Sequence, residues 1–217
     1  MDVNTLAVAL ISVVGTLGGT LGGAVVSQRA RRGEVLEENR RADRERDEER
    51  EERAMQVKRD LYAQLNSAAR AYRVAARDAV EAAARGESVD PGHLDAAKEA
   101  WAEQYSVAQM TLAEGVLEVA SSVNRSLGIG YAVVKQLPAS SDLDGAFRRA
   151  KAWFHGPLSD GVFLLRLTLR HDLGVEIDQG FRLKRVQGLS ALDRARDDLA
   201  RLLEAERVQA GVPATRR

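Results

Sequence analysis

Hydrophobic and polar positions divide this chain into three regimes. From Val3 to Gln28 no side chain is ionisable. Residues 40–53, RRADRERDEEREER, are the reverse: six are basic, seven acidic, and only Ala42 is uncharged. From Ala54 onward apolar residues return every third or fourth position, the period of a helix with one buried face.

In the third regime the first stripe is Val57, Leu61, Leu65, Ala68, Tyr72, Ala75 and Ala79, ending at Gly86, which is placed for a left-handed cap. Asp90-Pro91 predicts the next start, with Pro at the first helical position. Leu94, Ala97, Trp101, Tyr105, Ala108, Leu112, Val116, Val119, Val123 and Leu127 then predict one long helix that Pro138 must end. Two long helices with a short connection predict an antiparallel hairpin. Ser141 or Asp142 caps a third stripe (Leu143, Phe147, Ala150, Phe154, Leu158, Val162, Leu165, Leu169) that crosses Gly156-Pro157. That crossing is either one kinked helix or two helices with Pro opening the second, and Gly174 closes it. Residues 174–188 alternate apolar and polar, with Gln179-Gly180 as a turn, and so admit a small β-hairpin. Ser190-x-x-Asp193 resembles a capping box opening a last helix with Leu192, Leu199, Leu202, Leu203 and Val208. The fold class is therefore all-α, an antiparallel helical bundle over residues 54–188 followed by a C-terminal helix and tail, 189–217.

The first regime is long enough to cross a hydrocarbon layer, which takes about 20 helical residues. A secretory signal carries positive charge ahead of its apolar stretch, whereas here the side-chain charge is that of Asp2. The run over 1–28 reads as a retained transmembrane anchor, with cleavage near Gly22-Gly23-Ala24 as the competing reading. At about 100° per residue, Gly15, Gly18, Gly19, Gly22 and Gly23 share one face with Ser12, opposite Leu6, Leu10, Leu17 and Leu21. Overlapping Gly-x-x-x-Gly spacings let two backbones approach closely in lipid, so this face predicts self-association. Arg29, Arg31 and Arg32 follow the span, which puts the amino terminus outside and the remainder in the cytoplasm. Each can also contact anionic lipid headgroups, worth about 1 kcal/mol near the surface.

Residues 29–53 form a stalk. Extending the heptad of the following helix backwards puts Glu51, Arg44 and Glu37 at one seam position and Asp47 and Arg40 at the other. A coiled-coil seam of charges would be desolvated at steep cost, so the segment reads as a solvated helical spacer, about 40 Å long. Arg41/Glu45, Arg44/Glu48 and Glu49/Arg53 are spaced to support it, and Glu48/Glu52 opposes it.

Composition narrows the chemistry. Thirty-two basic residues balance 32 acidic ones among 217, so no net charge draws the chain to nucleic acid. Absence of cysteine excludes disulfides, thiolate metal sites and thiol catalysis. Aromatics are 5%, so the core must rest on Ala, Leu and Val. His171-Asp172 resembles a metal-ligating pair, but His155 and Asp178 supply further ligands only at unsuitable spacing, and His93 stands in a helical first turn. Gly128-x-Gly130 lacks the context of a nucleotide loop. Arg182, Lys184 and Arg185 make a small basic cluster beside Phe181. An aromatic exposed beside Arg125, Arg148 or Arg149 would be a candidate partner contact.

Residues 58–78 (KRDLYAQLNSAARAYRVAARD), 118–131 (EVASSVNRSLGIGY) and 156–176 (GPLSDGVFLLRLTLRHDLGVE), together with the anchor, resemble uncharacterised single-pass membrane proteins of high-GC Gram-positive bacteria. Arginine's excess over lysine, 27 to 5, agrees with such an origin. The likeness covers most of the chain and implies no activity. Anchor plus charged helix is also similar to the peripheral-stalk b subunit of rotary ATP synthases, a match that the turns at Gly86 and Pro138 break. The expectation is a non-enzymatic scaffold or adaptor in a bacterial plasma membrane, without cofactor or metal. Its partners would be the bilayer, a second copy and a cytosolic protein, and not nucleic acid. The alternatives are a membrane-perturbing effector or pore subunit built through the glycine face, and a metal hydrolase at His171 and Asp172.

Overall fold

A computed structural model describes the backbone of residues 3–87, 91–140, 142–175 and 178–209, and the side chains of 37–87, 92–140, 142–175 and 178–208. Among the described residues the chain is all-α, with no strand. Its helices are α1 (Val3–Ala84), α2 (Pro91–Thr111), α3 (Glu114–Gln136), α4 (Leu143–His155), α5 (Pro157–Asp172) and α6 (Phe181–Gln209), with a 3₁₀ turn at Leu137–Ala139. Two compact units divide between Val57 and Lys58. Among the described residues no helix is long and apolar enough to cross a membrane. The uncharged run that predicts a span lies outside the residues whose side chains are described.

Within the first unit, the described part of α1 is a solvated charge ladder. Arg53 pairs with Glu49 at 2.5 Å as the spacing predicts, but Arg41 pairs backward with Glu37 at 3.8 Å. Arg46–Asp43 and Arg50–Asp47 close at 3.2 and 3.0 Å. Such exposed pairs are worth under about 1 kcal/mol each, enough to favour helix but not to fold a domain.

In the second unit Leu65, Tyr72, Ala75 and Ala79 of the predicted stripe are buried, and the buried face widens on one side to take in Tyr62, Ala69, Ala76 and Val80. Val57 is 68% exposed and belongs with the charged stretch. Gly86 ends the helix at φ 73°, with Glu87 N–H bonded to Ala82 O at 3.0 Å, the six-to-one bond of a left-handed cap.

The single long helix expected over 94–138 is two helices. The chain reverses at Leu112 and Ala113, where Ala113 is extended (φ −61°, ψ 148°). Three bonds show α2 and α3 running antiparallel. Tyr131 OH donates to Asp95 at 2.8 Å, Trp101 Nε1 donates to Asn124 Oδ1 at 2.8 Å, and Tyr105 and Ser121 hydroxyls lie 2.9 Å apart. The predicted hairpin thus joins the halves of that stretch, where the sequence pairs α1 with the whole of it. Arg185 comes close to the turn: its guanidinium donates to the Gly115 carbonyl at 3.0 Å, and a Cβ on Gly115 would lie 2.2 Å from that movable side-chain end.

α3 packs against α2, α4, α5 and α6, and Val119, Val123 and Leu127 are wholly buried on it. Asp142 caps α4 by accepting from Gly145 N–H at 2.9 Å. Gly156 separates α4 from α5, and Pro157 opens the latter, so the kinked-helix alternative falls. Gly174, at φ 70°, closes α5. Two expectations fail at the carboxyl end. In place of a β-hairpin, Asp178 starts α6, its Oδ1 accepting from Gly180 N–H at 2.8 Å and its carbonyl from Phe181 N–H at 3.0 Å. Ser190 and Asp193 then lie inside that helix and form no capping box; Asp193 instead accepts from Ser122 Oγ at 2.7 Å. Leu189, Leu192 and Leu199 are buried, while Leu202 and Val208 are exposed, so the core ends before the helix does.

Leu165 is fully buried, and Leu165→Ala is expected to cost about 2–5 kcal/mol in guanidinium unfolding. Ser126 Oγ is buried without a hydrogen-bond partner among the described residues, so Ser126→Ala is expected to raise the unfolding free energy by about 1 kcal/mol in the same measurement.

Candidate functional site

The last turns of α1 and the second half of α4 enclose a groove of about 440 Å³. Val80 and Phe154, both buried, form its floor with Ala84 and the half-buried Phe147. Helical spacing sets its two rims. Arg77 and Glu81 on α1 and Arg85 just past its end recur at four-residue steps; on α4, Arg148, Lys151 and His155 recur at three and four. Arg73, half-buried one turn before Arg77, donates from Nη1 to the Phe154 carbonyl at 3.2 Å and so ties the end of α4 to α1. Burial lowers its pKa, with Arg77 and Arg70 adding repulsion.

The rims differ in charge. Arg77 donates to Asp78 through Nε at 3.0 Å and Nη2 at 2.7 Å. Arg85 reaches both oxygens of Glu87 at 2.7 and 2.8 Å. These hydrogen bonds raise both guanidinium pKa values. His155 Nε2 lies 3.6 Å from Glu81. Arg148 and Lys151 have no carboxylate partner among the described residues. The α1 rim is thus locally neutralised, and the α4 rim carries two cations without counter-ions beside an apolar floor. Such a surface is chemically suited to an anionic group joined to something apolar.

A second, smaller recess of about 80 Å³ gathers the starts of α3 and α6 and the end of α5. His171 stacks on Phe181 with ring centroids 4.2 Å apart. Asp172 accepts from Tyr62 OH at 2.5 Å and pairs with Lys58 Nζ at 2.6 Å. Burial would raise the Asp172 pKa, but the bonds from Lys58 and Tyr62 outweigh it and hold the carboxyl below its ordinary range. Burial, then the bond to Asp172, pushes the Tyr62 phenol well up. The neighbouring His171 and Asp172 are therefore committed to different partners. Asp178 is occupied with Lys184 at 2.7 Å, and His93 is exposed at the start of α2. Among the described residues no three metal-ligating side chains stand together.

Of the arginines singled out by sequence, Arg125 lies 3.8 Å from Asp193, Arg149 pairs with Glu206, and Arg148 stands free beside Phe147 in the groove. Trp101, Trp153 and Phe154 are buried, whereas Phe163 is half-exposed beneath the Arg166 guanidinium, 4.8 Å from its ring centre. Arg185 turns inward to Gly115 and approaches Glu118 at 3.8 Å, so the basic cluster beside Phe181 is partly spent on packing. Gly15, Gly18, Gly19, Gly22 and Gly23, with Arg29, Arg31 and Arg32, lie outside the residues whose side chains are described. The groove itself was missed by sequence reading, although Arg148, Lys151 and His155 share a helical face beside Phe147 and Phe154. No family model matches the chain, and no curated protein or solved structure is similar to it.

The lowered Asp172 pKa means that unfolding raises this group's proton affinity. Its stabilisation is full above the ordinary value of 3.8 and is lost as pH falls through the lower folded value. Asp172→Asn is expected to cost about 1 kcal/mol near neutrality, discounted for partial exposure. In urea titrations the gap between wild type and variant should close on acidification below that value.

Proposed function

We propose that this chain is a membrane-tethered, non-enzymatic adaptor that presents its helical bundle to a protein partner at the cytoplasmic face of a bacterial plasma membrane. The observation that carries the tether is the uncharged sequence from Val3 to Gln28 followed at once by Arg29, Arg31 and Arg32. The face bearing Gly15, Gly18, Gly19, Gly22 and Gly23 supports pairing with a second copy. What favours binding over catalysis is the chemistry of the groove: an apolar floor beside cations, with its carboxylate, Glu81, set between Arg77 and His155. A pore built from the same glycine face is less well supported, since the run offers no charged side chain to line an aqueous path.

The full chain is expected to stay with bacterial membranes through alkaline carbonate, and a label fused to its carboxyl end to mark cytoplasmic neighbours. Release by carbonate would remove the tether. Gly19→Leu should weaken self-association several-fold in a membrane dimerisation reporter while leaving carbonate resistance intact.

A further inference from the structure

We propose that the groove between the end of α1 and α4 docks an acidic, amphipathic segment of a partner protein, an inference that rests on the adaptor reading and gives its partner a chemistry. Arg148 and Lys151, three residues apart on α4, present positive charge that no carboxylate of the described residues answers. Arg77 and Arg85 across the groove are each held by a carboxylate of their own helix end. The unanswered charge therefore lies along one rim only. Below it, the exposed Ala84 and the half-buried Phe147 offer apolar surface over the buried Val80 in a recess of about 440 Å³, room for a few side chains. An occupant that satisfies both must place acidic residues along the α4 side and apolar ones inward, as a helix laid into a groove does at i, i+3 and i+4.

Other occupants fit less well. The chain's own most acidic stretch, residues 47–52, has no apolar side chain to fill the floor. Its residues 214–217 add only positive charge. A flat anionic lipid surface reaches the rim cations but leaves the recess unfilled.

The test uses the full chain in phosphatidylcholine nanodiscs and a fluorescein-labelled helical peptide with Leu and Phe on one face and Glu along its flanks. Fluorescence anisotropy should show binding that weakens with salt. Affinity should fall at least about tenfold for the same peptide with Gln in place of Glu, and for Arg148→Glu/Lys151→Glu. Arg182→Glu, at an exposed arginine on α6, should leave it unchanged, and circular dichroism should show that all variants fold. No binding, or binding indifferent to the double reversal, overturns the proposal. So does a result in which the double reversal instead abolishes attachment to phosphatidylglycerol vesicles and no peptide binds. Peptide binding that survives when the chain fails to enter nanodiscs upholds the groove and counts against the membrane tether alone.

Discussion

The bundle depends on how closely its neighbours can approach α3. Ser122, Ser126 and Gly130 recur at four-residue steps along that helix and are all buried. Their small size brings α4 and α6 in: a Cβ on Gly130 would lie 3.0 Å from the Phe154 ring and 3.2 Å from Trp153 Nε1. Ser122 turns the same closeness into a hydrogen bond to Asp193 of α6. The helix is thus apolar on one side and small on another, and both sides are covered. The buried hydroxyl of Ser126, without a partner, is the cost of that arrangement, about 1–3 kcal/mol on general grounds.

That dependence explains what was legible in the sequence. Features set within a few residues were readable: Gly86 as a left-handed cap, Gly174 as a helix end, and a cap at Ser141 or Asp142, whereas the break at Gly156-Pro157 was located but left open between a kink and a new helix. The reversal at Leu112–Ala113 was not, because turning the chain over leaves the three- and four-residue spacing of apolar positions intact. Neither Gly nor Pro marks the turn itself. The contacts across it come from Asn124, Ser121 and Tyr131 and from the distant Arg185, some seventy positions along from Gly115, and periodicity carries no record of contacts at that range. The same limit produced the errors near the carboxyl end. Ser190 and Asp193 have capping-box spacing, but Asp178 had already begun the helix, and Asp193 was needed by Ser122.

The candidate site was legible in its parts and not in its assembly. Arg148 was singled out beside an aromatic, but its difference from Arg149 is one of helical phase: a step of about 100° sends Arg149 to Glu206 and leaves Arg148 facing the groove. Likewise His171 and Asp172 are adjacent in sequence, yet one stacks on Phe181 and the other bonds to α1. Adjacent residues on a helix diverge, so a sequence pair becomes a site only when both side chains meet a third element.

Groove and fold are joined through Arg73. Its guanidinium satisfies the Phe154 carbonyl in the last turn of α4, where helical carbonyls lack partners within the helix. The break at Gly156 creates that need, and Arg73 meets it from α1, which fixes the two rims against each other. The same contact holds a half-buried guanidinium against the last turn of α4. Its Nε is left without a partner among the described residues, and burial, with Arg77 and Arg70 nearby, lowers its pKa, although Arg77 is itself answered by Asp78 and Glu81. The bond that positions the groove thus sets the spacing between the α1 and α4 rims, and under the docking proposal a partner's acidic and apolar residues would have to match that spacing.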